Sequence, residues 1–191
     1  MTERENNHEQ LRAAVERLSN LEFLTNQDKA SIVLVSQELK PAALVEMHYQ
    51  ENTPGYSKEE FGQNIDHFKQ TLQELRLSFQ NKAISVDSNS YESFYIGCTQ
   101  EAIERLINAT ELVDIREKDR AMGKSLGIPD TAIEAFINNQ TVKLSELPEE
   151  AAKEFRFTNF LPSKDHWQEE LEYVKTQNEA LNKLAPQLLS K

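Results

Sequence analysis

The spacing of apolar positions changes several times along the chain, and each change marks an element. Leu11, Val15 and Leu18 recur at helical spacing in a polar stretch, which predicts an amphipathic helix over 5–19. A second helix is predicted over 28–39, with a strand as competitor because Ile32, Val33, Leu34 and Val35 form an unbroken, largely β-branched run. Pro41 closes that element in either case, since proline disfavours helical geometry at the residue before it. Ala43, Val45, Met47 and Tyr49 alternate with Glu46 and His48, the period of a strand with one buried face. Asn52, Thr53, Pro54 and Gly55 are turn formers. Ser57 with Glu60 then forms a capping box, and Phe61, Ile65, Phe68, Leu72 and Leu75 share one face of the helix it opens.

Leu77 and Phe79 alternate with polar residues, as do Ile84 and Val86 up to Asp87, and Tyr91 to Cys98 reads as a further strand. Thr99 caps a helix carrying Ala102, Ile103, Leu106 and Ile107, and from there the chain is mostly helical, with 144–160 read as a long connection. No internal repeat divides it. The fold class is therefore α+β: a small antiparallel sheet packed by amphipathic helices, with a helix-rich C-terminal half. We read one domain over 1–191, its sheet within about 20–110 and its helical part within about 111–191.

The last helix, expected over 163–184, sets Trp167, Leu171, Val174, Asn178 and Leu181 at heptad spacing. A polar residue in such a stripe can fix register against a partner helix, which makes these five residues the candidate partner-binding face. The competing reading is a terminal helix docked on its own domain.

Charge and cysteine content narrow the function. Acidic residues outnumber basic ones by 32 to 21, a net charge of −11 that repels nucleic acid and anionic membranes and favours basic or neutral protein partners, or self-association. Cys98 is the only cysteine, so an intrachain disulfide and a cysteine-rich zinc site are both impossible, and a reducing cytoplasmic location fits. The polar N-terminus and the lack of a long apolar run predict neither export nor membrane insertion. Asn-x-Thr triplets at Asn108 and Asn139 would matter only on a secreted chain.

No catalytic constellation stands out, and neither a cofactor nor a metal site is predicted. Cys98 lies between a strand end and a helix start, where the helix dipole favours a thiolate; it is a candidate nucleophile with His48, His67 and His166 as candidate bases, or else a small buried hydrophobe. His166 and Glu170 stand one turn apart, but two ligands do not make a metal site. His8 is read as solvated. Residues 120–138 have the outline of a helix-turn-helix, with Gly127 as a left-handed cap, Pro129 opening the second helix, and Ile133 and Phe136 upon it. A DNA reader needs basic or amide side chains where this chain has Asp130, Thr131, Ala132 and Glu134, so a packed helix pair is the better reading.

The run Gly123 to Pro129, followed by Ile133 and Phe136, resembles a mostly archaeal domain of unknown function, over roughly 91–189. That family's pattern carries a Gly-Tyr-Pro turn, a Cys-Cys pair after it and a second cysteine motif before the terminal helix. Here Ile128 replaces the aromatic, Thr131 and Ala132 replace the cysteine pair, and 160–166 holds no cysteine. The resemblance implies a retained scaffold without the family's thiolate chemistry. A non-catalytic binding or protein-interaction module is the expected function, ahead of an enzyme with a dispersed site around Cys98 and of a nucleic-acid binder.

Overall fold

The computed structural model describes residues 3–51, 56–86 and 89–189, with side chains from residue 9 onward. The turn at Asn52–Gly55, Asp87, and the side chains of His8 and Val86 lie outside what it describes. The fold is α+β, with a three-stranded antiparallel sheet and a helix-rich C-terminal half. Strands β1 (Ala42–Tyr49), β2 (Ser78–Val86) and β3 (Asn89–Gly97) lie in the order β1-β3-β2, so the hairpin strand β3 inserts between the other two.

Helices α1 (Glu3–Ser19), α2 (Asn26–Ser36) and α3 (Lys58–Glu74) lie on the sheet's inner side. Both α2 and α3 open on a capping box, Thr25 with Asp28 and Ser57 with Glu60, which satisfies backbone donors that a helix start leaves unpaired. The competition between strand and helix at Ile32–Val35 is decided for the helix. All four residues are buried, because α2 is covered by β1, α1 and the C-terminal helices together. A helix enclosed on every side has no polar stripe, which is why its period was invisible.

The main core joins these helices to Ala43, Val45, Met47 and Tyr49 of β1 and to Phe94 and Ile96 of β3, with Phe68 edge-on to Phe94 at 4.9 Å. The five apolar residues predicted on one face of α3 are all buried. The two short alternations over 77–87 belong to one strand instead. Phe79 faces the core and Ile84 the opposite side, because their separation is odd and side chains alternate faces.

A smaller core on the outer sheet face gathers Ala42 and Tyr95 with Ile103 and Leu106 of α4 (Gln100–Glu111). Next come α5 (Ile115–Ser125), capped by Asp114, and α6 (Asp130–Ile137). The expected long connection carries a short helix, α7 (Glu149–Glu154), flanked by single 3-10 turns at Leu144–Glu146 and Phe155–Phe157. Helix α8 (Trp167–Leu184) and the short α9 (Pro186–Leu189) return to the main core through Leu181, Ala185 and Leu188.

Four helices end in the same way. Glu38, Arg76, Gly127 and Asn139 have φ of 57°, 59°, 69° and 56°. In each case the next backbone N–H donates back five residues: Leu39 to Leu34, Leu77 to Leu72, Ile128 to Gly123 and Gln140 to Ala135. This Schellman closure requires a left-handed residue, yet only one of the four is glycine.

Candidate binding cleft

The helix pair α5–α6 is built on its two glycines. A Cβ on Gly123 would meet Ile133 at 2.7 Å, so the bare backbone is what lets α6 lie against α5. At Gly127 a Cβ would meet Pro41 at 2.7 Å, and the Gly127 carbonyl accepts from the Tyr173 hydroxyl at 2.5 Å. The Gly-Lys-x-Leu-Gly-x-Pro turn thus has packing reasons at each glycine. Arg120 and Glu134 close the pair with two hydrogen bonds of 2.6 and 2.9 Å. Each partner holds the other charged: Arg120 is raised and Glu134 lowered from its ordinary value, chiefly by that hydrogen bond.

Opposite this pair runs a strap, residues 155–161, fastened from several directions. Gln27 donates to the carbonyls of Arg156 and Thr158 at 3.3 and 3.1 Å, and Lys40 donates to Asn159 Oδ1 at 3.0 Å. The Thr158 hydroxyl is satisfied within the strap by Phe155 and Phe160 carbonyls. Between strap and helix pair lies a cleft of about 510 Å³. Its walls are largely apolar: Met122, Leu126 and Ile133 on one side, Leu144, Phe155 and Phe160 on the other.

Large apolar side chains stand exposed around this cleft. Phe136 is 57% and Leu161 45% exposed, and both line the cleft. They also line an adjoining cavity of about 370 Å³ with Ile115, itself 74% exposed. Val113, two residues before Ile115, is 96% exposed. Asp119 lines both cavities and makes no ion pair with a described residue. Of the two apolar residues read on the second helix of the pair, Ile133 is buried and Phe136 faces outward.

The residues that sequence reasoning put forward are not brought together. Cys98 Sγ donates to the Val35 carbonyl at 2.9 Å, in the last turn of α2. The thiol thus faces the negative end of one helix dipole instead of the positive end of another. Burial, then the Glu38 carboxylate, push it above the ordinary thiol value, so the expected thiolate activation is corrected. A cleft of about 450 Å³ beside it is lined by Glu38, Glu74, Arg76 and Gln10, and none of its lining residues is a histidine. His48 rests edge-on against Tyr91 at 5.2 Å, roughly 23 Å along the strands from Cys98 at about 3.3 Å per residue. His67 is exposed on α3.

His166 is exposed too, 3.7 Å from Glu169, whereas Glu170 is buried and accepts from the Thr131 hydroxyl and the Ser163 N–H at 2.6 and 2.8 Å. Glu170 is a structural tie between α6 and α8. Among the described residues no group of three or more His, Cys, Asp or Glu converges in metal-binding geometry.

The heptad residues of α8 are largely spoken for by this chain. Val174, Asn178 and Leu181 are buried, and Trp167 and Leu171 are half-buried. Asn178 Nδ2 donates to the Glu154 carbonyl and carboxylate at 2.9 and 2.7 Å. The polar interruption that suggested a partner serves to hold α7 on α8. Val113, Ile115 and Leu161 were missed; the available signal was that Val113 and Ile115 flank a capping aspartate and fit no periodic element.

No described helix is long and apolar enough to cross a membrane. Comparison with family models, with curated proteins and with solved structures finds no match to the chain.

Proposed function

We propose that this protein is a non-catalytic interaction module whose cleft between α5–α6 and the strap receives an apolar-anchored, basic segment of a partner protein. The observation that carries this reading is the concentration of Ile115, Phe136 and Leu161, all substantially exposed, about two adjoining cavities. Contiguous exposed apolar surface beside a cleft is the usual mark of a binding site. Asp119 at the rim of both cavities and the net charge of −11 favour a basic partner over a second copy of this acidic chain.

The expected strength follows from the area. Covering three partly exposed side chains returns about 1–2 kcal/mol each, roughly 3–6 in total, against an association cost of at least about 4. A transient complex results. Cys98 as the sole cysteine suits the reducing cytosol, which is the location we assign to the interaction.

The test is a methyl-resonance titration of the full chain with an acetylated, amidated probe peptide bearing Leu and Phe on one face and Lys on the other. Saturable shifts at Met122, Ile115 and Leu161 are expected. Shifts confined to α8, or no saturable shift, would refute the reading.

A further inference from the structure

One buried cation is held by a single side-chain hydrogen bond. Lys40 is 4% exposed, at the turn between α2 and β1, and its ammonium donates to Asn159 Oδ1 on the strap. Burial depresses it to about 8. A single hydrogen bond offsets only part of that desolvation. A lysine kept under those terms invites the question of what it orients.

The chemistry of the pair answers it. An ammonium only donates, so the Asn159 atom facing Lys40 must be the amide oxygen. The amide is planar, so Nδ2 points away from Lys40; Asn159 is itself exposed and lines the cleft. No described residue accepts from that Nδ2. The other polar side chains lining the cleft offer no free donor: Gln27 Nε2 serves the Arg156 and Thr158 carbonyls, the Thr158 hydroxyl serves the strap, and Asp119 is an acceptor. We infer that Asn159, held in register by Lys40, is the hydrogen-bond donor of the cleft and reads a main-chain carbonyl of the bound segment. The inference rests on the cleft being a polypeptide-binding site.

A neutral carbonyl fits better than a carboxylate, because Asp119 lines the same cleft. The buried charge behind the amide polarises it and strengthens the bond it donates. Lys40 is thus a positioning residue, and Asn159 the one that touches the ligand.

Two small probes separate this inference from the reading beneath it: N-acetyl-leucine N-methylamide, which carries both an apolar side chain and carbonyls, and toluene, which carries no acceptor. Both are titrated into the full chain and followed at the Met122 and Ile133 methyls. Asn159→Asp preserves the acceptor that Lys40 needs and removes the donor, so a merely structural Asn159 would tolerate it. The expected result is about tenfold weaker diamide binding in both Asn159→Asp and Asn159→Ala, with toluene unchanged within about twofold. Lys40→Met weakens the diamide by a smaller factor. Diamide binding equal to wild type in Asn159→Asp overturns the inference and leaves the cleft standing. In the wild-type chain, failure of the diamide alone overturns the inference, and failure of both probes to move those methyls overturns the cleft itself.

Discussion

The clefts beside Cys98 and beside Phe136 are close in size, about 450 and about 510 Å³, and opposite in lining. The first has the one residue of obvious reactivity, set among Glu38, Glu74 and Arg76 with no histidine. The second has no reactive group, a mostly apolar wall and a rim of exposed Phe and Leu. Volume does not separate them; what surrounds the volume does. A thiol turned toward a helix C-terminus is held neutral, whereas exposed apolar side chains beside a cavity lose water on contact with a partner.

The comparison is broken most severely through the turn that shapes the Phe136 cleft. Gly127→Ala forces a side chain into left-handed backbone and into Pro41, an expected loss of about 2–4 kcal/mol in urea unfolding. A loss below about 1 kcal/mol would mean the turn does not anchor the helix pair.

Lys40→Met is expected to raise stability by up to about 1.5 kcal/mol at pH 7, since the buried charge it removes costs more than the one hydrogen bond lost with it returns. The sign with pH follows from the folded value of about 8 lying below the ordinary 10.5. The unfolded chain binds the extra proton between those values, so the wild type gains stability as pH rises from about 8 to 10.5, and the variant's advantage shrinks over the same window. Urea melts at several pH values measure it; a pH-independent gap would show that Lys40 is not desolvated.

Smaller effects probe the Cys98 side. Cys98→Ser is expected to change stability by less than about 1 kcal/mol, and wild-type Cys98 to alkylate more slowly at pH 7 than a free thiol peptide, because its thiol is raised. Faster alkylation would restore it as a nucleophile. The smallest change comes from relieving a left-handed Glu38 or Arg76: Glu38→Gly or Arg76→Gly should stabilise by about 0.5 kcal/mol, after the entropy glycine adds to the unfolded chain. A loss from either would mean its side chain contributes contacts that outweigh the backbone strain.

Much of the fold was legible because local pattern and final burial coincide. Helix α3 carries its capping box and its single apolar face in the sequence. Helix α2 was ambiguous because burial on all sides erases periodicity, and β2 was split because its apolar residues change face between Phe79 and Ile84. The binding cleft was not legible. Lys40 and Asn159 are 119 positions apart, and nothing local to either announces the other. Phe136 sits in a short helix whose period cannot distinguish a residue packed with Ile133 from one facing out. Asn178 misled for the same reason: a polar residue in a stripe looks alike whether it meets a partner or, as here, Glu154 of the same chain.

Titrating the basic, apolar-faced probe peptide against wild type, Phe136→Asp and Cys98→Ser tests the assignment of the binding face in one experiment. Phe136 is exposed, so its replacement leaves the fold intact while placing a charge where an apolar anchor should dock. The expected outcome is at least about tenfold weaker binding in Phe136→Asp and no change in Cys98→Ser. Equal affinity in wild type and Phe136→Asp, or a loss confined to Cys98→Ser, would contradict it.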